Sequence, residues 1–190
     1  MRIRTTQTAI LILFAAMWAS AQDIASFEKH ITVKTLDNGL TVLMLERPEA
    51  PVFSFYTHVD AGSAQDPLGS TGLAHMMEHM AFKGTDKIGT SDYASEKLAL
   101  EKVEKAYTAY NAERHKRLGR DEARLKQLEE AWESAVQEAQ QFVIPNQFGE
   151  LVESNGGEGM NAFTNDDETG YHYSMPINRL ELWAYLESER

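Results

Sequence analysis

The chain has 190 residues, 43% of them hydrophobic, enough to bury one sizeable core and to leave room for one domain with an appendage. Its net charge of −11 argues against nucleic acid and against an anionic membrane surface as partners, since both carry the same sign. Without cysteine it has neither a disulfide framework nor a lipidated-cysteine anchor, so stability must come from packing or metal.

Residues 1–21 have the pattern of a secretory signal peptide. Arg2 and Arg4 give a positive start, Ala9 to Ala16 is mostly apolar, and Ala19-Ser20-Ala21 places small residues before a cleavage point at Gln22. The apolar run is shorter than the roughly 20 residues of a membrane span, so no integral segment is expected after removal. The mature chain loses two positive charges and carries −13; it is expected to be exported, to the periplasm or the outside.

Ile31 to Leu36 and Leu40 to Glu46 are predicted strands, joined by the turn Asp37-Asn38-Gly39. A third strand is predicted over Val52 to Val59, with Phe53, Phe55, Thr57 and Val59 on one side. Gly62, Pro67, Gly69 and Gly72 then break any regular pattern. A short helix is expected from Gly72 to Phe82, capped by Ser70 or Thr71 and stopped by Gly84, with Leu73, Met77 and Met80 as its apolar contacts.

Residues 91–143 carry two apolar series at helical spacing: Leu100, Val103, Tyr107, Tyr110, and then Leu125, Leu128, Trp132, Ala135, Ala139, Phe142. Gly119 and Asp121 lie between them as a stop and a start, which predicts an antiparallel helical hairpin rather than one kinked helix. Pro145 and Gly149 are expected to close it, and 155–159 to form a flexible turn. Strands are then predicted over Met160 to Thr164 and Gly170 to Met175, and a final helix over Arg179 to Arg190 capped by Asn178. That helix has no stop signal at Arg190, so a longer protein is expected. The fold class is α+β: a mixed or antiparallel sheet with helices on one face and the charged hairpin projecting.

The chemistry lies in His75-Met76-Met77-Glu78-His79. On a helix, His75 and His79 project from one face, one turn apart, so both imidazoles can reach one ion. Glu78 flanks that face and can take the proton from a water that zinc has acidified to a pKa near about 7. The bland alternative is an exposed helix with two ordinary histidines and a surface glutamate.

The run from His75 to Thr85 resembles the signature helix of the pitrilysin/insulinase family of zinc peptidases, which carry the inverse H-x-x-E-H motif. Three further segments resemble the family in the same order: Leu36 to Val42, Val59 to Ser63, and Asn161-Ala162-Phe163-Thr164 followed by Asp167, Thr169 and Tyr171. The resemblance implies a mitochondrial-processing-peptidase-like half domain with Zn2+ as cofactor, His75 and His79 as metal ligands and Glu78 as catalytic base. It also implies that Asn161 and Ala162 lie nearest a substrate peptide added along the Met160–Thr164 edge. The substrate class would be peptides or unfolded proteins, and a second homologous domain or subunit would close over them.

Two departures stand out. Residues 96–145 look like an inserted hairpin. The family's third ligand is a glutamate on the helix after the later strand pair; Glu150 and Glu153 precede that pair, and Glu187 and Glu189 come too early, which puts the ligand beyond Arg190. The alternatives are a non-catalytic subunit of the family, which would usually carry a damaged motif, and an adhesive module using Tyr107, Tyr110 and Trp132. Those three aromatics are more simply the hairpin's own core.

Overall fold

A computed structural model describes residues 28–190; the expected signal peptide, residues 1–21, lies outside them. The chain divides into two compact units, one ending at Ala50 and one spanning Pro51–Arg190. The described part of the first is a hairpin of β1 (Ile31–Thr35) and β2 (Thr41–Leu45), paired antiparallel from Ile31↔Leu45 to Thr35↔Thr41. Asn38 Oδ1 accepts the Leu40 N–H at 3.1 Å and closes the turn, as the Asp-Asn-Gly run predicted.

The second unit is built on a three-stranded antiparallel sheet. Its strands are β3 (Val52–Val59), β4 (Glu158–Thr164) and β5 (Thr169–Pro176), in the order β3-β5-β4. The central strand, β5, turns Tyr171, Tyr173 and Met175 inward, and all three are buried. Tyr173 and Met175 pack with Ile88, Phe148, Val152 and Leu186, and with Phe53 and Phe55 from β3, while Tyr171 lies against Phe82. Phe55 meets Tyr173 edge-on at 4.4 Å between ring centres. The alternation predicted for Val52–Val59 holds at Phe53, Phe55 and Thr57, which are half-buried, and fails at Val59, which is exposed.

Five helices complete this unit: α1 (Leu73–Met80), α2 (Tyr93–Arg114), α3 (Glu122–Gln140), α4 (Gln147–Ser154) and α5 (Leu180–Glu189). Among the described residues no helix is long and apolar enough to cross a membrane. Helix α2 starts at Asp92 and α3 at Asp121, each carboxylate accepting two backbone N–H groups of its first turn. The two helices run antiparallel. Tyr110 stacks on Trp132 at 5.4 Å, Tyr107 lies 5.3 Å from the same ring, and Lys102 pairs with Glu138 further along. The hairpin's aromatics therefore serve as its own seam.

Glu113, only 3% exposed, ties off the hairpin turn. It takes the Lys116 ammonium at 2.6 Å and the Asp121 N–H at 3.1 Å, with Arg124 at 3.5 Å. The bond to Lys116, then that to Asp121, hold its carboxyl below the usual carboxylate range. A lowered folded pKa gives stability that is present above the unfolded value of about 4.3 and lost as pH falls through the folded one. Native chain should therefore melt above Glu113→Gln at pH 7, followed by circular dichroism, and the gap should close below about pH 4. A gap that stays constant with pH would remove the charge from the account.

Several sequence expectations need correction. Neither Ser70 nor Thr71 caps α1. The cap position is Gly72, and Asp66 reaches over to accept the Gly72 and Ala74 N–H groups at 2.6 and 2.9 Å. Leu73, Met77 and Met80 do not form the packed face: they are 38%, 55% and 53% exposed, and Glu78 is the residue that α1 buries. Residues 147–154, where Gly149 was expected to close the preceding element, form α4, because Phe148, Leu151 and Val152 present an apolar stripe at helical spacing. Asn178 does not cap the last helix; it lies inside a 3-10 turn, Ile177–Arg179, and α5 begins at Leu180. The flexible turn ends earlier than expected, because β4 already begins at Glu158. A register shift before Asn161 absorbs Gly159, whose φ of 66° suits glycine. All the strand pairs are antiparallel among the described residues, which leaves the mixed-sheet alternative aside.

Candidate active site

Helix α1 rises from a loop that Asp66 organises, and its first turns carry the three residues singled out by their spacing. His75 and His79 stand side by side at the surface. Their Nε2 atoms are 3.1 Å apart and their ring centres 4.7 Å. Tetrahedral zinc with nitrogen ligands at about 2.0–2.1 Å sets two such nitrogens about 3.3 Å apart, close to the separation of this pair. Glu78 sits about 60° around the helix from His75, at 100° per residue. It is only 7% exposed.

A buried carboxylate needs a partner. Glu78 finds one on β4, where the Thr164 hydroxyl donates to Oε2 at 2.5 Å. Thr164 in turn lies 3.4 Å from the hydroxyl of Thr169, itself 5% exposed, and Thr169 donates to the Ala61 carbonyl at 2.9 Å. Sequence reasoning did not assign Thr164, although it closes the Asn161-Ala162-Phe163-Thr164 run. Its contact with Glu78 spans 86 positions, beyond the reach of local pattern.

A cation enclosed by rings packs against Tyr171 of β5. The Arg190 guanidinium sits 4.5 Å from the Tyr171 ring centre and 4.9 Å from those of Phe82 and Phe148. It pairs with Glu187 at 2.8 Å, and Glu187 also accepts the Tyr173 hydroxyl at 2.8 Å. Burial raises the Glu187 carboxyl above its usual range, with Arg190 opposing. Burial likewise pushes the Tyr171 hydroxyl up, with Arg190 opposing and the Glu78 charge adding to the rise. Glu189 is held by Lys87 at 2.5 Å and by Thr85. Both late glutamates are thus engaged away from the histidine pair, while Glu150 and Glu153 are exposed on α4, before β4.

Asn161 and Ala162 lie on β4, opposite His172 and Tyr171 of β5. Asn161 is exposed and Ala162 half-buried. Asn161 follows the bulge rather than opening the strand, and its side chain makes no hydrogen bond among the described residues. The far edge of β4 takes no partner strand among those residues. A shallow hollow lined by His58 and Asn165–Glu168 lies elsewhere and includes none of His75, Glu78 or His79. Among the described residues no group of three or more histidine, aspartate or glutamate side chains converges as a metal cage. The histidine pair offers two of the three protein ligands that catalytic zinc normally has.

Residues 41–116 match the model of the insulinase family (peptidase family M16); β4 and β5 lie outside that span. Protease 3 of Shigella flexneri is 32% identical over 111 residues, covering 51% of this chain and 12% of that protein. Mitochondrial-processing peptidase subunit beta of Lentinula edodes is 39% identical over 80 residues, covering 42% and 16%. Insulin-degrading enzyme of Drosophila melanogaster is 44% identical over 52 residues, covering 27% and 5%. The chain spans only a small part of the length of these relatives. The crystal structure of a protease from Helicobacter pylori aligns with 84% of this chain and 25% of its own at 21% identity, with a TM-score of 0.49.

Proposed function

The chain belongs to the pitrilysin/insulinase family, of which it carries the N-terminal region, and from that premise we propose that its longer protein is a zinc-dependent metalloendopeptidase. The observation that carries the reading is one helix that sets two imidazoles at metal-sharing distance beside a buried, hydrogen-bonded carboxylate. His75 and His79 would hold the ion, and a glutamate beyond Arg190 would complete its ligands. An ion held there would supply Lewis acidity toward a peptide carbonyl and toward water. Glu78 accepts the proton of the attacking water. Burial keeps its carboxylate from competing solvent, and its place outside the ligand set keeps it free to act as base.

The substrates would be peptides or unfolded proteins, laid in extended form along the free edge of β4 past Asn161 and Ala162. A second homologous domain or subunit would cover them; the likeness to a peptidase named as a beta subunit supports a paired organisation. The start of the sequence supports export to the periplasm or beyond. Residues 96–145 are read as an insertion, and the family match ends inside it.

With two ligands in place of three, this chain alone should bind zinc weakly. Plasma mass spectrometry on purified residues 22–190 should find well under one zinc per chain after dialysis, and no peptidase activity. Tight, near-stoichiometric zinc would mean that a third ligand already lies within these residues. In the full-length protein, His79→Ala should strip both metal and activity.

A further inference from the structure

A carboxylate that serves as base beside a metal it does not bind has to be aimed by something else. Glu78 is fixed through a single oxygen: Oε2 receives the Thr164 hydroxyl at 2.5 Å, and Oε1 takes no hydrogen bond among the described residues. The donor inventory leaves little freedom. Each threonine has one hydroxyl hydrogen. That of Thr169 goes to the Ala61 carbonyl at 2.9 Å, so the 3.4 Å approach of Thr164 and Thr169 cannot draw on it. A carboxylate only accepts, and its contact at 2.5 Å is far shorter than the 3.4 Å one, so the Thr164 hydrogen is directed to Glu78. The carbonyl end of this chain is itself braced, since Ser63 and Ala64 bond to the backbone of Asn165 and Asp166 beyond Thr164.

We propose that Thr164 is the positioning residue for Glu78, clamping Oε2 so that Oε1 is the oxygen presented to the reacting water. The proposal rests on the peptidase reading above. It adds a link between two parts of that reading. Thr164 lies on β4, the same strand whose free edge carries Asn161 and Ala162, so the element that would receive the substrate also holds the base.

The test compares Thr164→Val and Thr164→Ser with native full-length protein on a fluorogenic peptide. Thr164→Val should lower kcat about 10- to 100-fold with KM within about twofold, because a misaimed base slows the chemical step without weakening binding. Zinc content should not change. Thr164→Ser keeps the hydroxyl and should recover kcat to within about threefold of native. A second readout needs neither metal nor turnover. In the metal-free protein Thr164→Val should lower Tm, and the same substitution should have little further effect once Glu78→Ala is present. Native kcat in Thr164→Val, equal losses in the serine and valine variants, or additive Tm shifts would each overturn the proposal. Should Thr164→Val fail to fold, Thr164→Ala takes its place in both comparisons. Glu78→Gln tells the two levels apart. If it turns over normally, the peptidase reading fails; if it is dead while Thr164→Val is unimpaired, only the role of Thr164 falls.

Discussion

Glu78→Gln in the full-length protein should lower peptidase kcat by about 100- to 10,000-fold, the usual contribution of a positioned acid–base group, while zinc content and KM stay near native. The reasoning is local. Glutamine is nearly isosteric with glutamate, and its carbonyl oxygen can still accept the Thr164 hydroxyl, so the packing around the buried side chain survives. What disappears is the basic oxygen. Because Glu78 flanks the two imidazoles instead of sharing their ligand role, the metal should remain. Turnover that persists at the native rate would remove Glu78 from the mechanism; loss of zinc together with turnover would make it a ligand.

The second large effect is on stability, at Gly62. Its backbone is extended, at φ −141°, so no special conformation demands glycine. The constraint is space. A Cβ there would lie 2.3 Å from the Asn165 carbonyl oxygen and 2.7 Å from the Asp166 carbonyl carbon and oxygen, all backbone atoms that cannot swing aside. The same two carbonyls accept the Ser63 and Ala64 N–H groups at 2.9 Å. Gly62→Ala should thus part the β3 loop from the β4–β5 turn, at a cost of about 2–4 kcal/mol from overpacking and lost hydrogen bonds. Tm should fall by roughly 5–15 °C. That turn joins Thr164 to Thr169, so activity in the full-length protein should fall with it. An unchanged melting curve would show that the loop yields freely.

These two sites differ in how far the sequence reveals them. The His75-x-x-Glu78-His79 spacing, the aspartate start at Asp121, and the period-2 run from Phe53 to Thr57 in β3 are local patterns, and each appears where the pattern places it. What stayed hidden depends on residues far apart in the chain. Asp66 caps α1 from outside the helix, so the nearest hydroxyls, Ser70 and Thr71, drew the expectation instead. The burial of Glu78 is decided by Thr164, on a strand that follows the whole hairpin. Helical spacing alone favoured Leu73, Met77 and Met80 as the packed side of α1, yet hydrogen bonding to β4 turns the carboxylate inward. Helix α4 was missed because Gly149 resembles a breaker, whereas here the glycine accommodates Asn146, whose side-chain oxygen would stand 2.8 Å from a Cβ.

Anomalous scattering at the zinc edge from crystals of the full-length protein tests the account most directly. It should show one strong peak about 2.0–2.1 Å from Nε2 of both His75 and His79, with Glu78 close by but not bonded to the ion. A peak bound by only one of these histidines, or a metal held at some other cluster, would contradict it.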